Sequence, residues 1–153
     1  MKPKFITMYM EIAGIIAKQS SAKRLQVGAI VVKEDRIISI GYNGMPSGWD
    51  NDCEYRNYRD LDENYQFLDE DGTTYSLRTR PEVLHAETNA IAKIARSTNS
   101  SEGSTLFVTH APCLDCSKII HQAGINSVYY RNSYRDTQGI DFLKQCGINV
   151  EKV

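Results

Sequence analysis

The chain has 153 residues, of which 41% are apolar and 24% charged, so it has the size and composition of one soluble globular domain. Its net charge of −1 argues against a polynucleotide-binding protein, although it leaves room for one small phosphate pocket. We expect neither a signal peptide nor a membrane span, and the four cysteines fit metal-bound thiolates in the cytoplasm better than a disulfide framework.

The first part of the chain predicts one helix and one hairpin. Apolar residues recur at helical spacing near the start, and they predict a first helix over about 5–20. Two β-rich runs, 27–33 and 36–42, are separated by two acidic residues, which is typical of a hairpin. The glycine-rich stretch 41–48 predicts a loop whose backbone can approach a ligand closely.

An acidic and aromatic stretch over about 55–81 shows no clear period. We interpret it as an insertion, within a single domain over 1–153, that covers the site or contacts another subunit. Helical and β patterns then alternate, and a hairpin followed by such βα units predicts an α/β fold with a mixed sheet between helices. The predicted helices in this part span 86–96, 113–122 and 139–146, and the predicted strands span 105–109, 127–130 and 149–153.

Two short motifs, HAE beginning at His85 and PCLDC ending at Cys116, point to zinc chemistry. The imidazole of His85 and the thiolates of Cys113 and Cys116 supply three of zinc's four tetrahedral positions and leave the fourth for water or substrate. Glu87 lies two residues from the histidine, where a carboxylate can move protons without binding the metal. A purely structural zinc site would need a fourth ligand and would not need Glu87. The sequence therefore favours a catalytic zinc.

The motif pair matches the signature of zinc-dependent deaminases, and most of the chain outside 55–81 resembles the deoxycytidylate (dCMP) deaminases of the cytidine deaminase superfamily. The resemblance implies a three-layer αβα sandwich around a mixed five-stranded sheet. It also implies one catalytic zinc, hydrolysis of dCMP to dUMP and ammonia for thymidylate synthesis, and a homo-oligomer, most often a hexamer. In many relatives dCTP activates and dTTP inhibits, and Mg²⁺ can accompany the triphosphate. The matching stretches are VGAIVV, RIISIGYNGMPSG, HAETNAIAKIAR, LFVTHAPCLDCSKII and QAGINSVYY.

The same resemblance implies roles for individual residues beyond the metal site. Asn43 would contact the deoxyribose, Tyr134 would pack on the nucleotide and reach its phosphate, and Arg96 would reach nucleotide phosphates across a subunit boundary. Without the resemblance, these would be a turn residue, a surface tyrosine and a solvated charge. The residues that would hold the effector triphosphate are Lys23, Arg24, Gly44, Met45 and Pro46.

Three features depart from the family pattern. Some relatives hold a second, structural zinc through paired cysteines in the first half, but here only Cys53 follows Pro46, so we expect no second metal. His110 stands where relatives often have an apolar residue. The insertion is acidic, which weakens the expectation of effector control. The remaining cysteine, Cys146, is interpreted as a small apolar filler, and His121 as a surface or packing residue.

Other functions remain open at this stage. A tRNA adenosine deaminase shares both motifs, but it would need a basic face and groups that hold a flipped base. Deaminases of free cytidine or guanine would need no phosphate contacts. A zinc-stabilised binding subunit without activity is the alternative outside enzymes, and the intact Glu87 argues against it.

Overall fold

The computed structural model describes residues 1–153, which form four helices and eight strands. None of the helices combines the length and the hydropathy that crossing a bilayer requires. The elements in chain order are α1 (Pro3–Ala17), β1 (Gly28–Lys33), β2 (Arg36–Tyr42), β3 (Glu54–Asn57), β4 (Phe67–Leu68), β5 (Thr74–Thr79), α2 (Ala86–Ala95), β6 (Thr105–His110), α3 (Leu114–Gln122), β7 (Ser127–Asn132), α4 (Gln138–Gln145) and β8 (Asn149–Lys152).

Five strands form a central mixed sheet in the order β2-β1-β6-β7-β8. The pairs on either side of β1 are antiparallel, whereas β6, β7 and β8 run parallel to one another. The parallel strands are joined by α3 and α4, as a parallel connection requires. The carboxyl ends of β6 and β7 therefore lie at one edge of the sheet, and α3 begins there.

The strand β1 is buried on both faces, which explains its uninterrupted apolar sequence. Successive side chains of a strand point to opposite faces. Ala29 and Val31 pack with α2, α3 and α4, whereas Ile30 and Val32 pack with Tyr9 and other residues of α1. The helices thus cover both faces, and the predicted three-layer αβα sandwich with a mixed five-stranded sheet is confirmed.

Helix α2 lies unusually close to the sheet because β2 carries a glycine where the two elements touch. A Cβ atom at Gly41 would overlap the carbonyl oxygen of Ala86 and crowd the amide of Ala90. Gly28 of β1 plays the same part against α1, where a Cβ would overlap the carbonyl oxygen of Ala13. These contacts fix the start of α2 relative to the sheet.

The element boundaries agree with those predicted to within three residues, and β2 has the predicted bounds. The first helix begins at Pro3 because proline is well suited to a first helical position. It ends at Ala17, before the serine pair that follows. The hairpin turn is made by Glu34 and Asp35, whose φ angles of 49° and 58° match the right-handed twist of the flanking strands.

The stretch with no clear period contains a second antiparallel sheet, in the order β3-β5-β4. Its strands are two to six residues long, and Glu54 and Ser76 are their only buried residues. Strands this short, whose two buried residues are both polar, show no apolar alternation. The sheet would not have been found by a search for periodicity.

Candidate metal centre and its cavity

The residues of the two motifs lie at the starts of two helices. His85 directly precedes α2 and Cys113 directly precedes α3, and neither side chain caps its own helix. Both side chains are therefore free for another partner. Helix starts expose unpaired N–H groups and a positive potential, which favour the thiolate form of cysteine.

The three expected ligands converge on one point. Nδ1 of His85 lies 3.3 Å from Sγ of Cys116 and 3.7 Å from Sγ of Cys113. All three ligand atoms lie within 4.8 Å of one another. Tetrahedral zinc bonds of about 2.0–2.3 Å require ligand atoms roughly 3.3–3.8 Å apart. The two distances from His85 lie in this range, and one imidazole and two thiols are a donor set that suits zinc.

Hydrogen bonds within the cluster set its protonation. Bonds with Cys116 and His85 lower the pKa of Cys113 to about 4, while the bond with Cys113 and burial raise the pKa of Cys116. The bond with Cys113 also raises the pKa of His85. The cluster thus holds thiolate charge at neutral pH, which suits a divalent cation.

Glu87 lies in the first turn of α2 and is only 5% exposed. Burial raises the pKa of its carboxyl, because an ionised carboxylate is poorly solvated there. A carboxyl group placed beside a reacting water can accept a proton from one atom and return it to another. The side chain is therefore suited to carrying protons beside the cluster.

A cavity of about 660 Å³ opens over this cluster. Its volume falls within the range of about 300–1,000 Å³ that is usual for small-molecule sites. His85, Glu87 and Cys113 line it together with Asn43 and Tyr134. Both acidic and basic side chains line the cavity, and Glu54 and Asp62 are its acidic residues in addition to Glu87. The basic residues that line it are Lys23, Arg24, Arg78 and Arg135.

One wall of the cavity is the connection between α1 and β1, and Asn43 braces it. Its Oδ1 accepts a hydrogen bond of 2.8 Å from the amide of Val27, and its Nδ2 donates one of 2.8 Å to the carbonyl of Leu25. Ser20 Oγ donates to the carbonyl of Asn43 at 2.7 Å. The Asn43 amide thus keeps one N–H and one lone pair for a ligand.

The other residues predicted to contact substrate lie in different places. Tyr134 lines the cavity and is 53% exposed, so its ring is available to a ligand. Arg96 caps the far end of α2 and does not line the cavity. The ten residues of α2 separate it from Glu87 by about 13 Å along the helix axis. That Arg96 reaches the nucleotide phosphates of a neighbouring subunit stays a prediction.

The five residues predicted to hold an effector do not line one cavity. Lys23 and Arg24 line the cavity over the metal cluster itself. Gly44 forms a backbone bridge with Leu84, and Met45 packs against a small buried apolar cluster that includes Cys53. That cluster also contains Ala22, so the loop lies beside the segment that carries the two basic residues, and the effector site stays a prediction. Burial raises the pKa of the Cys53 thiol, which is 1% exposed.

Several residues of the cavity were missed by the sequence analysis. Arg135 follows Tyr134 directly, and its charge next to a predicted phosphate contact was an available signal. Glu54 and Arg78 lie on β3 and β5, whose pairing the sequence does not reveal. His110 was noted without a role. It lines the cavity, and burial lowers the pKa of its ring, which keeps it neutral at neutral pH.

Comparisons with known proteins agree with the geometry. Residues 3–132 match the family model of the cytidine and deoxycytidylate deaminase zinc-binding region. The deoxycytidylate deaminases of Enterobacteria phage T4 and Mus musculus are 32% and 37% identical to this chain. The alignments cover 94% of it in both cases, and 87% and 76% of those proteins. A crystal structure of dCMP deaminase from the cyanophage S-TIM5, in complex with dCMP and dUMP, has 49% identity and a TM-score of 0.83, and the match covers 100% of this chain and 99% of that one.

Proposed function

The chain belongs to the cytidine and deoxycytidylate deaminase family, and we propose that it hydrolyses dCMP to dUMP and ammonia, which supplies dUMP for thymidylate synthesis. The observation that carries the proposal is the single cavity that joins the His/Cys/Cys cluster, the buried Glu87 and four basic side chains. A relative of 49% identity has a structure in complex with dCMP and dUMP. The fold and the motif pair agree with the same activity.

His85, Cys113 and Cys116 would hold one zinc ion, which when bound supplies an electrophilic centre that lowers the pKa of a water molecule to about 7. Glu87 would take a proton from the attacking water and pass it to the ring nitrogen N3 of cytosine. It would then move the second proton to the exocyclic amine. A C–O bond forms at C4 and the C–N bond breaks, so that ammonia leaves and the carbonyl of dUMP remains.

The basic residues of the cavity distinguish a nucleotide from a free nucleoside or a free base. Guanidinium groups bind phosphate through paired N–H donors. Nη1 of Arg24 donates to Oγ1 of Thr79 at 3.1 Å, which holds this side chain against the cavity wall. Arg135 lies next to Tyr134 at the same opening. We assign Arg24 and Arg135 to the 5′-phosphate, with Tyr134 packed on the nucleotide and Asn43 on the deoxyribose.

Assembly and control are a second part of the proposal. The edge strand β2 exposes apolar side chains, among them Ile37, Ile40 and Tyr42, and such a surface favours association with another copy. Arg96 lies at the free end of α2, where it can serve a neighbouring site. The protein would form a hexamer that is activated by dCTP and inhibited by dTTP, with Mg²⁺ on the triphosphate.

The proposed activity is tested by ammonia release from dCMP, cytidine, guanine and an RNA hairpin, measured side by side on the zinc-loaded protein. We expect dCMP to be the preferred substrate by a wide margin. If cytidine or guanine is turned over faster than dCMP, the proposed phosphate contacts have no role in substrate choice. Turnover of the hairpin alone would indicate a tRNA deaminase.

The proposed assembly is tested by analytical ultracentrifugation together with dCMP saturation curves. We expect a hexamer whose rate depends sigmoidally on dCMP concentration. Adding dCTP should make this dependence hyperbolic, and adding dTTP should lower the rate. An active monomer with hyperbolic kinetics would contradict both the hexamer and the control by effectors.

A further inference from the structure

Glu54 is a buried carboxylate that the proposed chemistry does not use. It is the first residue of β3, pairs with Thr79 of β5 and is 3% exposed. It lines the same cavity as His85 and Glu87. Acidic side chains are seldom buried to this extent without partners for both oxygens.

The two oxygens of Glu54 have different surroundings. Oε1 accepts hydrogen bonds from the backbone amides of Lys23 and Arg24, at 2.8 and 3.0 Å. Oε2 is buried and accepts none. The only other buried side-chain atom in this condition is Oγ of Ser117, which does not line the cavity. A buried carboxylate oxygen without a donor is costly, so a ligand that donates a hydrogen bond to it would be favoured.

The chemistry of the proposed substrate limits what that donor can be. A pyrimidine deoxynucleotide with a 5′-phosphate has two kinds of donor, the exocyclic amine and the 3′-hydroxyl. The amine must lie beside Glu87 and the metal cluster for the reaction to occur. The 3′-hydroxyl is the donor that remains. Asn43 can assist with its one free N–H, but its amide already bonds to the backbone of Val27 and Leu25.

We propose that Oε2 of Glu54 accepts a hydrogen bond from the 3′-hydroxyl of the deoxynucleotide, and that Glu54 thereby determines specificity for the sugar. This inference rests on the proposed function. The bonds from Lys23 and Arg24 to Oε1 hold the carboxylate in place before the ligand binds. The same bonds tie the wall that carries Arg24 to the small sheet.

The test compares dCMP with 2′,3′-dideoxycytidine monophosphate, which lacks only the 3′-hydroxyl. In the parent protein kcat/KM for dCMP should exceed that for the dideoxy compound by about 10- to 100-fold, as for a hydrogen bond to a charged group. Glu54→Gln keeps an oxygen for the two backbone amides but removes the charged acceptor. This variant should lower kcat/KM for dCMP by about tenfold and leave kcat/KM for the dideoxy compound unchanged. The ratio of the two values should therefore fall by about tenfold.

Two further variants separate this role from a structural one. Asp62→Asn removes one negative charge from the same cavity wall and should keep the parent's preference. Glu54→Ala also loses the bonds to Lys23 and Arg24, so it should lower turnover of both compounds and abolish the preference. If Glu54 only supports the backbone, Glu54→Gln will retain the full preference. Zinc content and melting temperature measured on each variant identify any loss of fold.

Binding measurements keep this inference separate from the proposed function. If the parent releases no ammonia from dCMP, the proposed function fails, and calorimetric titration with dCMP and its dideoxy analogue then tests Glu54 alone. The same preference in the parent and in Glu54→Gln overturns the inference, and so does a parent that does not distinguish the two compounds. No binding of either nucleotide overturns both proposals.

Discussion

The metal centre and the small sheet over 54–79 are stabilised in different ways. The centre lies on helix starts that are fixed by a sheet whose strand β1 is buried on both faces and by glycine contacts that leave no space for a side chain. The small sheet depends on exposed side chains instead. Arg56 makes two hydrogen bonds of 3.0 Å with Glu70, its guanidinium carbon lies 4.6 Å from the ring centre of Tyr75, and Phe67 stacks on that ring. Single substitutions should therefore have large and specific effects at the centre and small effects in the sheet.

Glu87→Ala should show the largest effect on activity. It removes no metal ligand, so zinc content and melting temperature should stay close to those of the parent. Proton transfer by a positioned side chain contributes about 10²–10⁴-fold, and a residue that serves several transfers should lie at the upper end. Ammonia release from dCMP measures this effect. Turnover close to that of the parent would mean that the motif only binds metal, and the deaminase assignment would be lost.

Cys113→Ser should lose zinc and stability together. A bound zinc would link the starts of α2 and α3 through His85, Cys113 and Cys116, so the loss of one ligand would remove this link between the two helices. Elemental analysis and thermal melting check the two effects. One zinc per parent chain is expected, and two tightly bound zinc ions would point to a second site near Cys53.

Arg24→Ala and Arg135→Ala should weaken binding of the 5′-phosphate of dCMP. Loss of a hydrogen bond to a charged group costs about 1.5–3 kcal/mol, which raises KM for dCMP by about 10- to 100-fold. Deoxycytidine, which has no phosphate, serves as the matched substrate and should be unaffected. An equal loss for both substrates would show that the arginines support the wall of the cavity without binding phosphate.

Gly41→Ala tests whether close packing of α2 on β2 sets the metal site. The new methyl group would overlap the carbonyl of Ala86, one residue from His85, and overpacking of this kind costs about 1–3 kcal/mol of stability. Zinc affinity should fall with it. Gly44→Ala is the matched control, because a Cβ there meets nothing within 4 Å. Equal melting temperatures for the two variants would contradict the packing argument.

The centre was predictable from sequence for a chemical reason. Zinc accepts few residue types, and the spacing of HAE and PCxxC places them on helix starts, so local sequence is sufficient to recognise His85, Cys113, Cys116 and Glu87. The layered fold was equally accessible. The apolar run of β1 and the alternation of helical and β patterns after residue 81 identify a sheet that is covered on both faces.

The wall of the cavity was harder to predict because it depends on contacts between distant residues. Glu54 joins the cavity through the amides of Lys23 and Arg24, some thirty positions away. Arg78 joins it through the register of β3 and β5, which the sequence does not reveal for short strands without apolar alternation. The bonds that occupy the Asn43 amide were hidden for the same reason. Local motifs report chemistry, whereas three-dimensional packing decides which other residues face the substrate.

Glu70→Gln should have the smallest effect and completes the comparison. Hydrogen bonds from Arg56 lower the pKa of Glu70 from its ordinary value of 4.5 to about 2. A lowered pKa in the folded protein means that the pair stabilises the fold above pH 4.5 and that this stabilisation is lost as the pH falls towards 2. Because both side chains are exposed, water and salt screen the pair and its contribution to stability is slight.

Melting temperatures at pH 7 in low salt should therefore be slightly lower for Glu70→Gln than for the parent, and the difference should vanish in high salt and below about pH 2. Glu63→Gln makes the same charge change in the same segment without an ion pair, and at pH 7 in low salt its melting temperature should match that of the parent. A large loss of stability or of zinc in Glu70→Gln would show that the small sheet supports the metal centre, and the contrast between the two regions would then be wrong.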